Sequence, residues 1–218
     1  MSFKAPDSLA EQIAQHLSQR IIRGELKPCE RIQEIKVTSE LSVSRGSVRE
    51  ALLILQRRHL VSIPPRRGAM VAELTPHSVR ALYALVKELY MLLAAEVAGT
   101  WQQEQELERF AQIQQGLLHA VQANDVQRFV DNSFEILHVG LSFVDNPYLK
   151  EVVLNLLPAI QRTYYFSLAH RAAEMHTFLD TYARLLQAIR QRDQASARQV
   201  MDDYAQHNCA LVIAALND

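Results

Sequence analysis

The chain has 218 residues and a net charge of −1; 49% of its residues are hydrophobic and 22% are charged. This composition supports a buried core and excludes a disordered chain, and the length suits one large or two small domains. No run approaches the ~18 apolar residues that a membrane helix needs, and we find no apolar signal segment. Cys29 and Cys209 lie far apart without metal-ligand spacing, so we expect a reducing cytoplasm rather than a disulfide framework.

Charge is unevenly distributed along the chain. Residues 1–75 contain 12 Lys and Arg against 8 Asp and Glu, a net of +4, whereas the remainder contains 11 against 16, a net of −5. A basic N-terminal module joined to an acidic body is typical of a nucleic-acid reader that has a second task.

The first predicted helix begins after Ser8, which forms a Ser-x-x-Glu capping box with Glu11, and it ends near Gly24. Its apolar face has helical spacing and consists of Leu9, Ile13, Leu17 and Ile21. A connector follows, in which Pro28 forces a non-helical step.

The next segment, Glu34–Val71, predicts a winged helix-turn-helix. A short helix is followed by a tight turn at Leu41–Val43 and by a second helix. Two apolar strands then follow at Leu60–Ile63 and Ala69–Val71, joined by the basic turn Pro64–Gly68. Because the major groove of DNA accepts an α-helix, we expect the second helix to read base edges.

This second helix has two chemically different faces. Ser44 is predicted to cap it, and Arg45 and Arg49 share a face because they are four residues apart. The opposite face is apolar and is predicted to pack against Val37 and Leu41; it consists of Val48, Ala51, Leu52 and Leu55. The alternative is an ordinary amphipathic surface helix. The basic wing turn favours DNA contact, because its arginines suit phosphates or an adjacent minor groove.

From Thr75 and Pro76 onward the periodicity predicts helices almost throughout and no convincing strand. The predicted segments are 76–98, 102–122, 125–144, 147–169, 173–191 and 194–215. The breaks between them include Gly99-Thr100 and a polar stretch near His170–Ala173. Connections this short exclude a parallel sheet, so we predict an antiparallel helical bundle.

The fold prediction is therefore a mainly α protein with two domains. Residues 1–73 form a winged helix-turn-helix DNA-binding domain, and residues 74–218 form an all-helical domain for effector binding and dimerisation. A leucine stripe in the first helix of the second domain predicts core and dimer packing; it consists of Leu82, Leu85, Leu89 and Leu92.

The segment VSRGSVREAL at Val43–Leu52, followed by a PRRG wing at Pro65–Gly68, resembles the GntR superfamily of bacterial transcription regulators. The resemblance covers about residues 8–73. The matching positions lie at the operator in that family, which implies base contact by Arg45 and phosphate or base contact by Arg49. The predicted DNA contacts are Lys36, Ser44, Arg45, Gly46, Ser47, Arg49, Arg66, Arg67 and Gly68.

One position departs from the family's DNA-binding pattern. Ile35 stands where several members have an arginine that touches DNA, and Lys36 is the nearest basic substitute. We therefore expect the operator to differ from that of those members.

The helical body resembles the FadR-type branch of the superfamily, whose C-terminal domain binds an effector and forms the dimer. In many members an Asp-x-x-Phe-His motif and two later histidines bind a divalent metal beneath a small carboxylate. Here the motif begins at Asp131, but Glu135 replaces the first histidine, and Tyr182 and Tyr204 align with the other two. Lys87 aligns with an arginine expected on the first helix of the domain.

These departures disfavour a metal. Tyrosine is a poor ligand for Zn²⁺ or Ni²⁺ at neutral pH because its phenol titrates near ~10, whereas imidazole is the usual ligand. We predict a metal-free polar pocket for a small-molecule effector, such as an organic acid, lined by Lys87, Asp131, Glu135, Tyr182 and Tyr204. The alternative is a divalent-metal site built from Asp131, Glu135, His138 and His207.

Together these features predict a transcription regulator that binds a palindromic double-stranded DNA operator as a homodimer and responds to a small molecule. One alternative is a small-molecule enzyme with secondary DNA binding, in which Asp131 and Glu135 act as an acid–base pair. The sequence contains no phosphate loop, nucleophile elbow or Cys/His pair that would support an enzyme. Another is an effector-free architectural DNA-binding protein, for which the helical body is larger than simple dimerisation requires.

Overall fold

The computed structural model describes residues 8–218 and confirms a mainly α-helical protein with an N-terminal winged helix-turn-helix. The helices in chain order are α1 (Leu9–Ile22), α2 (Glu34–Leu41), α3 (Arg45–Arg57), α4 (Pro76–Thr100), α5 (Glu108–Gln122), α6 (Val126–Ser142), α7 (Pro147–Phe166), α8 (Leu168–Arg190) and α9 (Gln194–Asn217). Two short strands, β1 (Val61–Ser62) and β2 (Met70–Val71), pair between α3 and α4, and a 3₁₀ turn at Glu104–Leu107 precedes α5.

The chain forms two compact units. One comprises the described residues up to Leu74 together with Leu154–Phe166, and the other comprises Thr75–Val153 and Ser167–Asp218. Helix α7 therefore has residues in both units.

The core of the first unit is built where α1 packs against α3. The predicted apolar face of α3 is buried, and Val37 is buried beside it while Leu41 is partly buried, as expected. The predicted cap is also present, because the Ser8 hydroxyl accepts a hydrogen bond from the Glu11 amide at 3.2 Å. Burial of these faces leaves the polar side of α3 in solvent.

The turn between α2 and α3 depends on one unusual residue. Ser42 ends α2 with φ 53° and ψ 43°, a left-handed conformation that few non-glycine residues adopt. The chain then reverses within two residues, and Ser44 begins the next helix.

The wing has three paired segments instead of the predicted two. Strands β1 and β2 pair antiparallel, with Val61 opposite Val71. The connector before α2 also pairs with β2, because the Ile32 amide donates to the Ala69 carbonyl and the Val71 amide donates to the Glu30 carbonyl, both at 2.9 Å. The connector is therefore part of the wing, which periodicity cannot reveal because the segment is too short to show alternation.

The second unit begins as predicted. Thr75 caps α4 by accepting from the Ser78 amide at 3.1 Å, and Pro76 is the first helical residue. Within this unit α4 packs with α9, α5 with α6, and α8 with α9. This arrangement matches the predicted all-helical body.

The core-facing side of α4 differs from the prediction. Its buried face includes Val79, Tyr83, Val86, Tyr90 and Leu93. The predicted leucine stripe lies on another face: Leu82, Leu89 and Leu92 are half-buried and Leu85 is 47% exposed. The prediction that these leucines form the core is therefore wrong, because α4 buries its aromatic and β-branched face instead.

Two predicted helix breaks are also wrong. Helix α4 continues through Gly99, where a Cβ would lie 2.6 Å from Nε2 of Gln194, so this glycine marks a close approach rather than a break. Residues 170–173 are helical, and the break falls instead at Ser167. The polar residues of this stretch indicate a solvent-exposed break, but the Arg171 side chain is buried and donates to Asn208 Oδ1 at 2.6 Å.

Candidate nucleic-acid interface and ligand-binding domain

The first turn of α3 is an exposed helix N-terminus with a complete cap. The Ser44 hydroxyl accepts from the Ser47 amide at 3.1 Å, and the two hydroxyl oxygens lie 2.9 Å apart. Arg45 and Gly46 directly follow the cap and are exposed. A helix N-terminus favours negative charge, so this turn is electrostatically suited to an approaching phosphate backbone.

Arg49 is exposed but paired. Its Nε lies 2.8 Å from a carboxylate oxygen of Glu34, the first residue of α2, and its side chain is 68% exposed. This ion pair joins the two helices of the motif at their solvent face. Glu34 was not among the predicted site residues, since 15 residues of sequence separation carry no signal of contact.

The wing turn presents two further cations. Arg66 and Arg67 are both exposed, and Arg66 has φ 64° and Gly68 has φ 76°. Two left-handed residues close together make a sharp turn, which explains a glycine at one of them. Lys36 is exposed on α2 next to Ile35, whose side chain is 66% exposed.

The predicted acidic pair lies on the solvent-exposed face of α6. Asp131 accepts from the Gln127 amide group at 3.3 Å, and Glu135 lies 3.7 Å from the guanidinium of Arg109. His138, one turn further, is exposed and lines a shallow cavity of about 540 Å³ together with Arg109. Both carboxylates therefore face solvent rather than the interior of the bundle.

The proposed metal ligands do not form one cluster. His207 on α9 contacts the carboxylate of Glu174 on α8 at 2.9 Å, and not the α6 residues. Across residues 8–218, no three His, Cys, Asp or Glu side chains form a group suited to holding a metal ion.

Tyr182 is a core residue. It is 3% exposed, and its hydroxyl donates to the Phe110 carbonyl at 3.1 Å. Burial raises the pKa of its phenol well above the usual range, so the group stays neutral at physiological pH. Phe178 packs between Tyr182 and Tyr204, with ring centroids 6.4 and 5.6 Å away. The two tyrosines therefore belong to an aromatic cluster that includes Phe178, which the sequence did not single out.

Lys87 lies in a different environment, a groove between α4 and α9. Its ammonium group lies 3.4 Å from Glu88 and 3.5 Å from Asp202. The hydrogen bond with Glu88, followed by the charge of Asp202, raises the pKa of Lys87. This α4–α9 groove has a volume of about 630 Å³ and is also lined by Arg80, Tyr83, Gln206 and Cys209.

A winged helix-turn-helix with a basic tip, joined to a helical domain, defines a class of DNA-binding transcription regulators. Residues 9–71 match the family model of bacterial regulatory proteins of the gntR family, and residues 81–207 match the FCD domain. The chain belongs to the gntR family and is a transcriptional regulator with an FCD effector-binding domain. In the described part of the chain, none of the helices has the length and apolar character needed to cross a bilayer.

Several transcription regulators are similar to this chain over most of its length. The gluconate operon transcriptional repressor of Bacillus subtilis is 26% identical over 204 residues, covering 90% of this chain and 83% of the repressor. The HTH-type transcriptional regulator McbR of Escherichia coli is 24% identical over 212 residues, covering 96% and 95%. The solved structure of McbR superposes with a TM-score of 0.80 at 21% identity, covering 96% of this chain and 99% of McbR. These relatives are named regulators, which favours the predicted regulator over the alternative of an enzyme.

Replacing Tyr182 with phenylalanine should destabilise the second unit by about 1 kcal/mol, because the buried carbonyl of Phe110 loses its hydrogen bond. Denaturant unfolding followed by the fluorescence of Trp101, the single tryptophan of the chain, measures this. The wild type should also lose stability above about pH 10, where the unfolded phenol ionises and the folded one does not. Y182F should lack this component of the alkaline loss.

The matched control is Y148F, because Tyr148 is 76% exposed and should contribute little to stability. Wild-type stability in Y182F, combined with a lost response to ligands, would instead assign Tyr182 to a ligand site.

Proposed function

We propose that this protein is a ligand-responsive regulator that binds a palindromic operator as a homodimer in the cytoplasm. Residues 1–73 read DNA, and residues 74–218 bind the effector and form the dimer. The observation that supports DNA reading most directly is the capped and exposed first turn of α3, with Arg45 in solvent, in the same unit as a basic wing tip.

The DNA contacts divide into two kinds. Arg45, in the first turn of α3, has the position and chemistry to contact a guanine edge in the major groove. Arg49 contacts a phosphate or a base, and Glu34 orients its guanidinium through their 2.8 Å ion pair. The remaining contacts, from Lys36, Ser44, Gly46, Ser47 and the wing residues Arg66, Arg67 and Gly68, position the protein on the backbone.

The leucine stripe of α4 is the surface that we propose packs against a second copy of the chain. Leu82, Leu89 and Leu92 are half-buried, and Leu85 is 47% exposed. One face of α4 therefore presents apolar area that a single chain does not bury. Burying such area stabilises association. A two-fold dimer pairs with a palindromic operator, because each protein module takes one half-site.

Of the residues predicted to bind the effector, Lys87 lines the α4–α9 groove, whereas Asp131 and Glu135 face solvent on α6 and Tyr182 packs in the core with Tyr204 near it. The α4–α9 groove supports an organic acid, because Arg80 lines it together with Lys87, whose ammonium group already pairs with Glu88 and Asp202 and can share a further carboxylate. The similarity to a gluconate operon repressor supports the same chemical class. Tyr182 contributes through packing, since its hydroxyl is already hydrogen-bonded.

Regulation follows from linkage. An effector that prefers one arrangement of the helical domain shifts operator affinity when that arrangement binds DNA differently. The membership of α7 in both units supports this coupling, because one continuous helix contributes to each.

Arg45→Ala should remove most of the preference for operator over random DNA, because a bidentate guanine contact supplies about 1–3 kcal/mol of discrimination. The operator is a duplex enriched by the wild type from random DNA, and discrimination is the ratio of two dissociation constants. Arg57→Ala is the control, since Arg57 is an exposed arginine at the other end of α3.

Undiminished discrimination in R45A would contradict the base contact. Indiscriminate wild-type binding with a steep salt dependence would favour an architectural DNA-binding protein instead.

Leu85→Glu should convert a dimer into a monomer, because it places a charge on the apolar face of α4. Native mass spectrometry measures the change, and the wild type is expected at twice the mass of one chain. Leu53→Glu is the control, since Leu53 is 50% exposed on α3. A dimeric L85E would exclude this face as the interface, and a monomeric wild type would contradict the homodimer.

A small organic acid should change operator affinity, by about 5–150-fold if its coupling is of ordinary size. We would titrate gluconate and other short carboxylates into the protein–operator complex and follow fluorescence anisotropy. Lys87→Gln should weaken the response to the acid without changing operator binding in its absence, whereas Lys150→Gln should change neither. If no acid alters binding, the effector is not a carboxylate.

A further inference from the structure

Arg31 lies directly against the wing turn. If Gly68 had a Cβ, that atom would lie 3.4 Å from Nε, 3.5 Å from Nη2 and 3.8 Å from Cζ of Arg31. The nitrogens Nε and Nη2 are the nearest of these atoms, so the edge of the guanidinium that they form faces Gly68. The φ of 76° favours glycine at this position, and a Cβ there would be in ordinary van der Waals contact with Arg31.

The backbone of Arg31 is held on the wing. Arg31 forms an antiparallel bridge with Met70 of β2, and the hydrogen bonds of Glu30 and Ile32 to β2 flank it. Ile32 is 5% exposed and points into the core, whereas Arg31 is exposed. Because neighbouring side chains on an extended segment alternate in direction, burial of Ile32 directs Arg31 to the outer face of the wing.

The charge of Arg31 is available to a ligand. Within residues 8–218 its guanidinium makes no ion pair, whereas Arg20, Arg49 and Arg58 of the same unit each pair with a glutamate. The neighbouring Glu30 directs a carboxylate oxygen to the Lys27 amide at 2.8 Å, away from such a pair. Arg31 is thus an exposed, uncompensated cation on a fixed backbone.

We propose that Arg31 is a third DNA-binding cation of the wing, together with Arg66 and Arg67, and that it contacts a phosphate of the duplex beside the half-site. The proposal rests on the proposed DNA-binding function and extends it to a residue outside the recognised motif. Its backbone is held on the wing before DNA arrives, so only the side chain has to be ordered when the contact forms.

Salt dependence distinguishes this role from simple packing of the wing. Each phosphate neutralised by a protein cation contributes about 0.9 to the slope of log K against log salt concentration. A phosphate contact also carries no sequence information, so its loss weakens binding equally on all sequences. A packing role alone would lower stability and leave the slope unchanged.

The experiment uses the full chain and a duplex enriched from random DNA by the wild type. Dissociation constants of wild type, Arg31→Gln, Arg31→Lys and the control Arg57→Gln are measured between about 50 and 200 mM salt. We expect Arg31→Gln to lower the magnitude of the slope by about 0.9 and to keep the ratio of operator to random-DNA affinity. Arg31→Lys should keep the wild-type slope, and the control should change neither quantity.

Arg31→Met retains an unbranched apolar stem and replaces the glutamine variant if that variant fails to fold. An unchanged slope in a folded Arg31→Gln or Arg31→Met protein would overturn the proposal and leave the DNA-binding function intact. If the wild type enriches no duplex, the proposed function fails and the role of Arg31 fails with it.

Discussion

The packing of α3 against α1 is the constraint on which the DNA-binding surface depends. Leu17, Val48 and Leu55 are fully buried in this contact, so the rotation of α3 about its axis is set by its apolar face. Once that face is inside, Arg45 and Arg49 have no position except in solvent. The cap at Ser44 then defines where the helix begins and which residues form its exposed first turn.

In the helical unit, unlike the first unit's α1–α3 contact, buried polar groups occupy part of the interior. The Tyr182 hydroxyl and the Arg171 guanidinium are both buried. The hydroxyl donates to the Phe110 carbonyl on α5, and the guanidinium donates to Asn208 on α9. Buried polar groups are tolerated when they are hydrogen-bonded, and their geometry specifies how helices align. Tyr182 and Tyr204, which the sequence predicted to line the effector pocket, thus belong to an aromatic cluster, and Tyr182 is part of the core.

Electrostatic pairing separates the cations of the first unit into two groups. Arg20 and Arg58 each join elements of the fold through a glutamate, and Arg49 pairs with Glu34 on the solvent face of α2 and α3. Arg45, Arg66 and Arg67 remain in solvent. Arg45 lies on the first turn of α3, and Arg66 and Arg67 lie on the wing turn.

Elements with local signals can be predicted from the amino-acid sequence alone. The caps at Ser8, Ser44 and Thr75, the buried face of α3 and the helical nature of the C-terminal body all follow from spacing and from side-chain chemistry within one turn. Contacts between distant segments become visible only when the chain is folded. The pairing of Arg31 with the wing, the Glu34–Arg49 ion pair and the burial of Arg171 each join residues whose separation leaves no periodic trace. The inward face of α4 also required the structure, because α4 is apolar on more than one side and only its neighbours select which side is buried.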